Sequence, residues 1–220
     1  MLNHNVRFLP FVLATALLML CSCESTYVPT VADMPMHRQQ GELRANGHFG
    51  TNGFDLQASY AATRQLSVGI AANHWKPLGD WSSTSLNIHQ ALEAKVGFYS
   101  RFQSDSIIGV DLRLGYGLGN NGFNPYHKLS FQPSLFISGK HLEYGLASRF
   151  VGVSELRDAL QPDYYMFYIE PMQVFRFGGE RVKMCYQVGW SFALDIDDTP
   201  EKPLVMSLGV DVRLNARKRH

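Results

Sequence analysis

The sequence predicts an all-β protein: a closed, antiparallel, up-and-down transmembrane β-barrel of about ten strands. Three observations carry the prediction. Apolar and polar residues alternate with a period of two from Leu43 to near the end of the chain, and two is the strand period. The alternating segments are joined in turn by tight links and longer ones, with one exception, as in outer-membrane barrels. The polar side of the alternation carries glycines and charges of both signs, while aromatic residues on the apolar side gather near strand ends.

The N-terminus is read first. Arg7 precedes the apolar run Phe8 to Leu20, and no later run approaches the roughly 18 apolar residues of a membrane-spanning helix. Residues 1–22 therefore read as a lipoprotein signal peptide. Ser22 is small and precedes Cys23, whereas Leu20 is too large before Cys21, so Cys23 is the predicted lipidation site. More than one acyl chain on it would anchor the protein stably. Cys185 would then be the lone thiol, with no internal disulfide. Residues 23–41 contain Pro29 and Pro35 and show no period, and they read as a tether between lipid and barrel. Residues 216–220 form a basic tail with the character of a solvated end.

Residues 42–215 are assigned to the barrel. The first strand is placed near Leu43 to Gly50. In the second, Phe54, Leu56, Ala58 and Tyr60 alternate with Asp55, Gln57 and Ser59. The third sets Leu66, Val68 and Ile70 against Ser67 and Gly69. The fourth lies near Ile88 to Phe102. The fifth sets Ile108, Val110, Leu112, Leu114 and Tyr116 against Gly109, Asp111, Arg113 and Gly115. The sixth, seventh and eighth lie near Lys128 to Ser138, Leu142 to Val153 and Tyr165 to Phe177. The ninth sets Val182, Met184, Tyr186 and Val188 against Lys183, Cys185 and Gln187. The tenth sets Leu204, Met206, Leu208 and Val210 against Ser207, Gly209 and Asp211. Pro133 and Pro171 fall inside the sixth and eighth strands, where each removes a ladder hydrogen bond, and a bulge is expected at each.

Tight links follow the second, fourth, sixth and eighth strands, and long ones follow the third, fifth, seventh and ninth. The link Thr51-Asn52-Gly53 is the exception, being short where a long loop is due. An even strand count returns both termini to the short-turn side, which suits an anchor in the inner leaflet. Alternation alone does not say which face is inside, and a soluble ligand-binding barrel is apolar within. Interior crowding explains glycines on the polar face, such as Gly69, Gly115 and Gly145. Phe98, Phe102, Phe175 and Phe177 near the short turns, with Phe150, Tyr165, Phe167, Trp190 and Phe192 toward the long loops, make two girdles. The polar face is therefore the predicted lumen.

The run Cys23-Glu24-Ser25-Thr26-Tyr27-Val28-Pro29, then Gly41-Glu42-Leu43, then Gly53 to Ala61 (GFDLQASYA) resembles a Bacteroidota-type family of lipid-anchored outer-membrane β-barrels. The likeness is clear over residues 21–75 and architectural beyond. It implies an outer-membrane location and brings no catalytic motif with it, since barrels host adhesins, pores and enzymes alike.

The lumen face is expected to hold a polar network of Asp55, Glu93, Lys95, Asp111, Arg113, Glu143, Arg149, Glu170, Arg176, Lys183, Asp211 and Arg213, with Arg101 beside it. Opposite charges in a narrow lumen point to a salt-bridged plug and not to a pore lined by one sign of charge. A net charge of +1 gives no electrostatic basis for nucleic-acid binding. A lipid-modifying enzyme would need a nucleophile and base on the membrane side. His74 and Ser148 fit the face but stand four strands apart, and His74 with Ser82, Ser83 or Ser85 is the remaining pairing. Asp195, Asp197 and Asp198 form an acidic rim suited to a solvated loop or a divalent cation. No catalytic residue, metal site or cofactor is expected. The expected partners are outer-membrane lipids and something outside the cell that meets the long loops, with Trp81, Phe123, Asn124 and Tyr126 as contact residues.

Overall fold

The computed structural model describes residues 27–75, 88–102, 108–156, 164–194 and 203–214. Among these, every regular element is a strand: β1 (Leu43–Gly50), β2 (Gly53–Ala61), β3 (Leu66–Trp75), β4 (His89–Arg101), β5 (Ile108–Asn120), β6 (Pro125–Ser138), β7 (Leu142–Glu155), β8 (Tyr164–Gly178), β9 (Val182–Trp190), β10 (Phe192–Ala193) and β11 (Leu204–Leu214). Each pairs antiparallel with its neighbours. The sheet closes on itself, because β1 pairs β11, β11 pairs β9 and β9 pairs β8. β10 continues β9 along β8 without a change of offset, so the strands make ten staves of one closed barrel. Closure leaves no row of unpaired backbone groups at an edge.

No bulge forms at Pro133 or Pro171, contrary to the sequence expectation. The β6–β7 offset is the same on both sides of Pro133 (Phe131↔Phe150, Ser134↔Ala147), with the intervening pairs missing. Past Pro171 the offset again holds (Met172↔Gly189, Phe192↔Ile169), and the gap divides β9 from β10. Each proline removes one donor from the ladder without adding a residue to it. Register survives because a slip of one residue would turn every buried charge toward the outside.

The two faces are inverted relative to a soluble protein. Leu56, Val68, Leu92, Leu114, Leu129 and Leu208 are among the many large apolar side chains exposed on the outer surface. Arg44, Arg149 and Arg176 head the largest fully buried side chains. The aromatic girdles are where the sequence puts them, with Phe102 and Phe177 exposed at one end and Tyr165, Phe167 and Phe192 at the other.

The lumen also contains main chain. Residues 27–38 adopt no regular structure and run through the barrel, with Tyr27, Val28, Val31, Ala32, Met34, Met36 and His37 no more than 2% exposed. Over residues 27–41 the tether reading is therefore corrected. The segment looked like a linker because its prolines and lack of period describe an extended strand-like path equally well. Eight strands leave an interior just wide enough for side chains, and two more admit an extended backbone. Gly41, at φ 79°, turns this path into β1, and its N–H bonds the Ala61 carbonyl at 2.8 Å. Residues 1–26, including Cys23, and the basic tail 216–220 lie outside the described residues, as do Trp81, Ser82, Ser83, Ser85 and Asp195 to Asp198.

Candidate functional site in the barrel lumen

At the long-loop end, the Tyr27 ring packs on Tyr168 with centroids 4.9 Å apart, among Tyr126, Val151, Val153 and Met166. Lys128 Nζ lies 5.9 Å from the centre of the Tyr27 ring. The short β1–β2 link explains itself here. Asn52 Nδ2 donates to the Pro29 carbonyl at 2.8 Å, and Asn73 Nδ2 donates to the Asn52 carbonyl at 3.2 Å. The link stays tight because it grips the segment. Tyr126, expected to contact an outside partner, is buried in this collar instead, since its strand position faces the lumen. Phe123 is exposed, and Asn124 donates to Glu155 at 3.0 Å.

Lower down, the segment is held much as a strand would be. Ala32 N–H donates to Gln187 Oε1 at 2.9 Å, while Gln187 Nε2 donates back to the Ala32 carbonyl at 3.1 Å. Gln57 bonds the Val31 carbonyl and Gln132 the Asp33 carbonyl, at 3.1 and 2.9 Å. Arg149 donates to Thr30 Oγ1, the Thr30 carbonyl and the Val31 carbonyl, at 2.9, 2.5 and 3.2 Å, while its Nη2 stands 2.5 Å from Glu170. Such side chains satisfy the backbone groups that the closed sheet leaves no strand to meet.

Asp33 is the charged centre. Its carboxylate lies 2.8 Å from Arg113 and 3.8 Å from Lys95. Arg113 also reaches Asp111 at 3.0 Å and the hydroxyls of Ser59 and Ser67. Glu93 takes Lys128 at 2.8 Å, Lys95 at 3.6 Å and a hydrogen bond from Ser130. Asp55 is buried on the same face, in register with Asn73.

At the short-turn end the charges converge on Glu143. Arg44 lies 2.9 Å away, Arg213 2.5 Å, Arg38 3.3 Å and Arg176 3.6 Å, and Ser138 donates to it at 3.0 Å. Asp211 pairs with Arg44 and with Arg176, and Arg213 reaches Glu42 at 2.9 Å. Arg44 also bonds the carbonyls of Pro35 and Met36, and Arg38 the carbonyl of Gly139. Lys183 donates to the Lys140 carbonyl at 2.6 Å, closing the turn region.

The lumen thus brings together the residues singled out from the sequence, with Asp55 and Lys183 serving it through polar contacts. Sequence reasoning missed Thr30, Asp33, Arg38, Glu42, Arg44 and Lys128. A signal was available, because lumen-facing cations outnumber lumen-facing acids on the strands. Such a surplus calls for acceptors from elsewhere, and Asp33 with the segment's carbonyls supplies them.

His74 and Ser148 do not come together, and the pairing of His74 with Ser82, Ser83 or Ser85 lies outside the described residues. His74 is exposed on the outer face with Gln90 at 3.4 Å, while Ser148 faces outward at mid-height between Pro133 and Pro171. His127 bonds Tyr116 on the outer face at 2.6 Å. Among the described residues no cluster of three or more His, Cys, Asp or Glu side chains could hold a metal ion.

No protein-family model matches the chain, and no curated protein matches it in sequence. Among solved structures, it is similar to the N-terminal β-barrel domain of Pseudomonas aeruginosa OprF, at 12% identity and a TM-score of 0.38, over 80% of this chain and 98% of that one.

Proposed function

We propose that the chain is an outer-membrane β-barrel lipoprotein whose lumen is filled by its own N-terminal segment. It conducts no solute, catalyses no reaction, and acts through its long loops as a structural or surface-contact protein of the cell envelope. The observation that carries this reading is the inverted polarity: a belt of exposed Leu, Val and Phe around every stave, and arginines, lysines and carboxylates buried within. Water would penalise such a belt, since soluble monomers seldom expose contiguous apolar patches of more than a few hundred Å². A bilayer rewards it. The likeness of residues 21–75 to Bacteroidota-type lipid-anchored barrels supports the same location, with Cys23 as the acceptor.

The test fractionates membranes from cells producing the full chain and compares unheated with boiled samples on a gel, with palmitate labelling of wild type and Cys23→Ala. A heat-shifted outer-membrane band that loses its label in the variant is expected. An unshifted band in the soluble fraction would overturn the reading. Purified protein should leave planar bilayers silent, and stepwise conductance would favour the small-pore alternative. His74→Ala should leave membrane lipid composition unchanged; an altered profile would revive the lipid-modifying enzyme.

A further inference from the structure

The direction of the lumen segment settles where its upstream end can go. Its contacts climb the barrel in order. Arg38 meets Ser138 and Gly139 at a short turn, Asp33 meets Arg113 at mid-height, Thr30 meets Arg149 above it, and Pro29 meets Asn52 in the β1–β2 link at the long-loop end. Tyr27 packs on Tyr168, ten residues above Gly178 at the short-turn end of β8. The last described residue, Leu214, is at that short-turn end, paired with Leu43. The expectation that an even strand count puts both ends of the domain on one side is therefore corrected. It holds for β1 and β11 and fails for the chain before β1, which crosses the barrel once more.

We infer that the mature N-terminus emerges on the long-loop face, so that the lipid on Cys23 enters the outer leaflet at the cell surface. The anchoring half of this inference rests on the lipoprotein reading above. Cys23 precedes Tyr27 by four residues. A fully extended chain of that length spans about 14 Å. Ten tilted strand residues below Tyr27 span roughly 25 Å along the barrel axis. The anchor cannot double back to the short-turn face, and the lumen beside it is already occupied by the collar and by Arg149 and Arg113. The long loops of such barrels face outward, and the N-terminus joins them there.

A consequence concerns assembly. A lipidated end cannot be drawn through a closed and filled lumen, so the staves must close around a segment already in place. Arg44, whose guanidinium joins Pro35 and Met36 carbonyls to Asp211 and Glu143, links the segment to both sides of the β1–β11 seam.

The experiment inserts one epitope between Ser25 and Thr26 and, in a separate chain, one after His220. Only the heat-shifted, folded band of each is scored, and palmitate incorporation is measured on the same material. Antibody should reach the N-terminal epitope on intact cells as well as on permeabilised ones, and the C-terminal epitope only after permeabilisation. An N-terminal epitope reached only after permeabilisation overturns the inference. So does a C-terminal epitope reached on intact cells, which would invert the barrel. A surface N-terminal epitope without palmitate overturns the lipid anchor and leaves the crossing of the lumen supported, so the two readings fail separately.

Discussion

The two ends of the lumen differ in what they set around one segment, although its Met34 and Met36 also pack with Phe136 and Val174 lower down and Arg149 bonds it higher up. At the short-turn end, arginines from β1, β8, β11 and the segment itself converge on Glu143 and Asp211. At the long-loop end, an apolar collar of Tyr126, Val151, Val153, Met166 and Tyr168 surrounds Tyr27. Buried charges tolerate few arrangements, because a misplaced one is left without a partner. Packed aromatic and aliphatic groups tolerate many and exclude water. The charged half therefore fixes register and seam, and the apolar half packs around Tyr27 and excludes water there.

The largest effect expected comes from the charged half. Glu143→Ala removes the acceptor shared by Arg44, Arg213, Arg176 and Arg38 at once, leaving them Asp211, Glu42 and the Gly139 carbonyl, and breaking a buried pair costs about 3–5 kcal/mol. The heat-shift midpoint should fall steeply, or the folded band should vanish. Glu143→Gln keeps an acceptor for Ser138 and the arginines and should lie between. An unshifted midpoint for Glu143→Ala would mean that the cluster is not what fixes the seam.

Asp33→Asn probes the segment where the two halves meet. Arg113 retains Asp111 and Lys95 retains Glu93, so the loss is that of a charged hydrogen bond, about 1.5–3 kcal/mol. The midpoint should fall by less than for Glu143→Ala, and planar bilayers should begin to show brief openings as the segment loosens. Openings in Glu143→Ala but none in Asp33→Asn would assign retention of the segment to the base alone.

Gly145→Ala tests packing without touching charge. A Cβ there would press into Met34 Cε and lie 2.7 Å from Met36 Cε. Methionine ends are flexible and can swing aside, so the cost belongs at the low end of overpacking, about 1 kcal/mol. A drop as large as that of Asp33→Asn would show that the two methionines cannot move.

The outer face of the barrel was legible because its rule is local. Each strand declares its outward side by alternation, and Leu43 and Leu204 begin β1 and β11 where the pattern says they should. The lumen charges were legible for the same reason, as the residues between. Residues 27–41 were not, because an extended chain bonded by side chains from distant strands has no period of its own. Its partners Gln57, Gln132, Gln187 and Arg149 lie 26 to 155 residues away along the sequence. Tyr126 misled for a related reason: it opens a strand beside a loop and looks exposed, while its side chain faces a lumen whose occupant was unseen.

The smallest effect is expected outside the lumen. Lys140 and Glu180 pair at 3.1 Å across two neighbouring short turns, both more than half exposed. The Lys140 hydrogen bond and charge hold the Glu180 carboxyl below its ordinary range. A carboxyl lowered in the folded state adds stability above its unfolded pKa and loses it as pH falls through the folded one. Water and salt screen a pair this exposed almost completely. Lys140→Ala should therefore leave the heat-shift midpoint unchanged at neutral pH and through the carboxylate range alike. Glu143, by contrast, lies one turn away and buried, and its removal should be the most damaging of these changes. A Lys140→Ala midpoint that moves with pH would mean that the short turns themselves hold the barrel, and the division of labour between charged base and apolar collar would have to be redrawn.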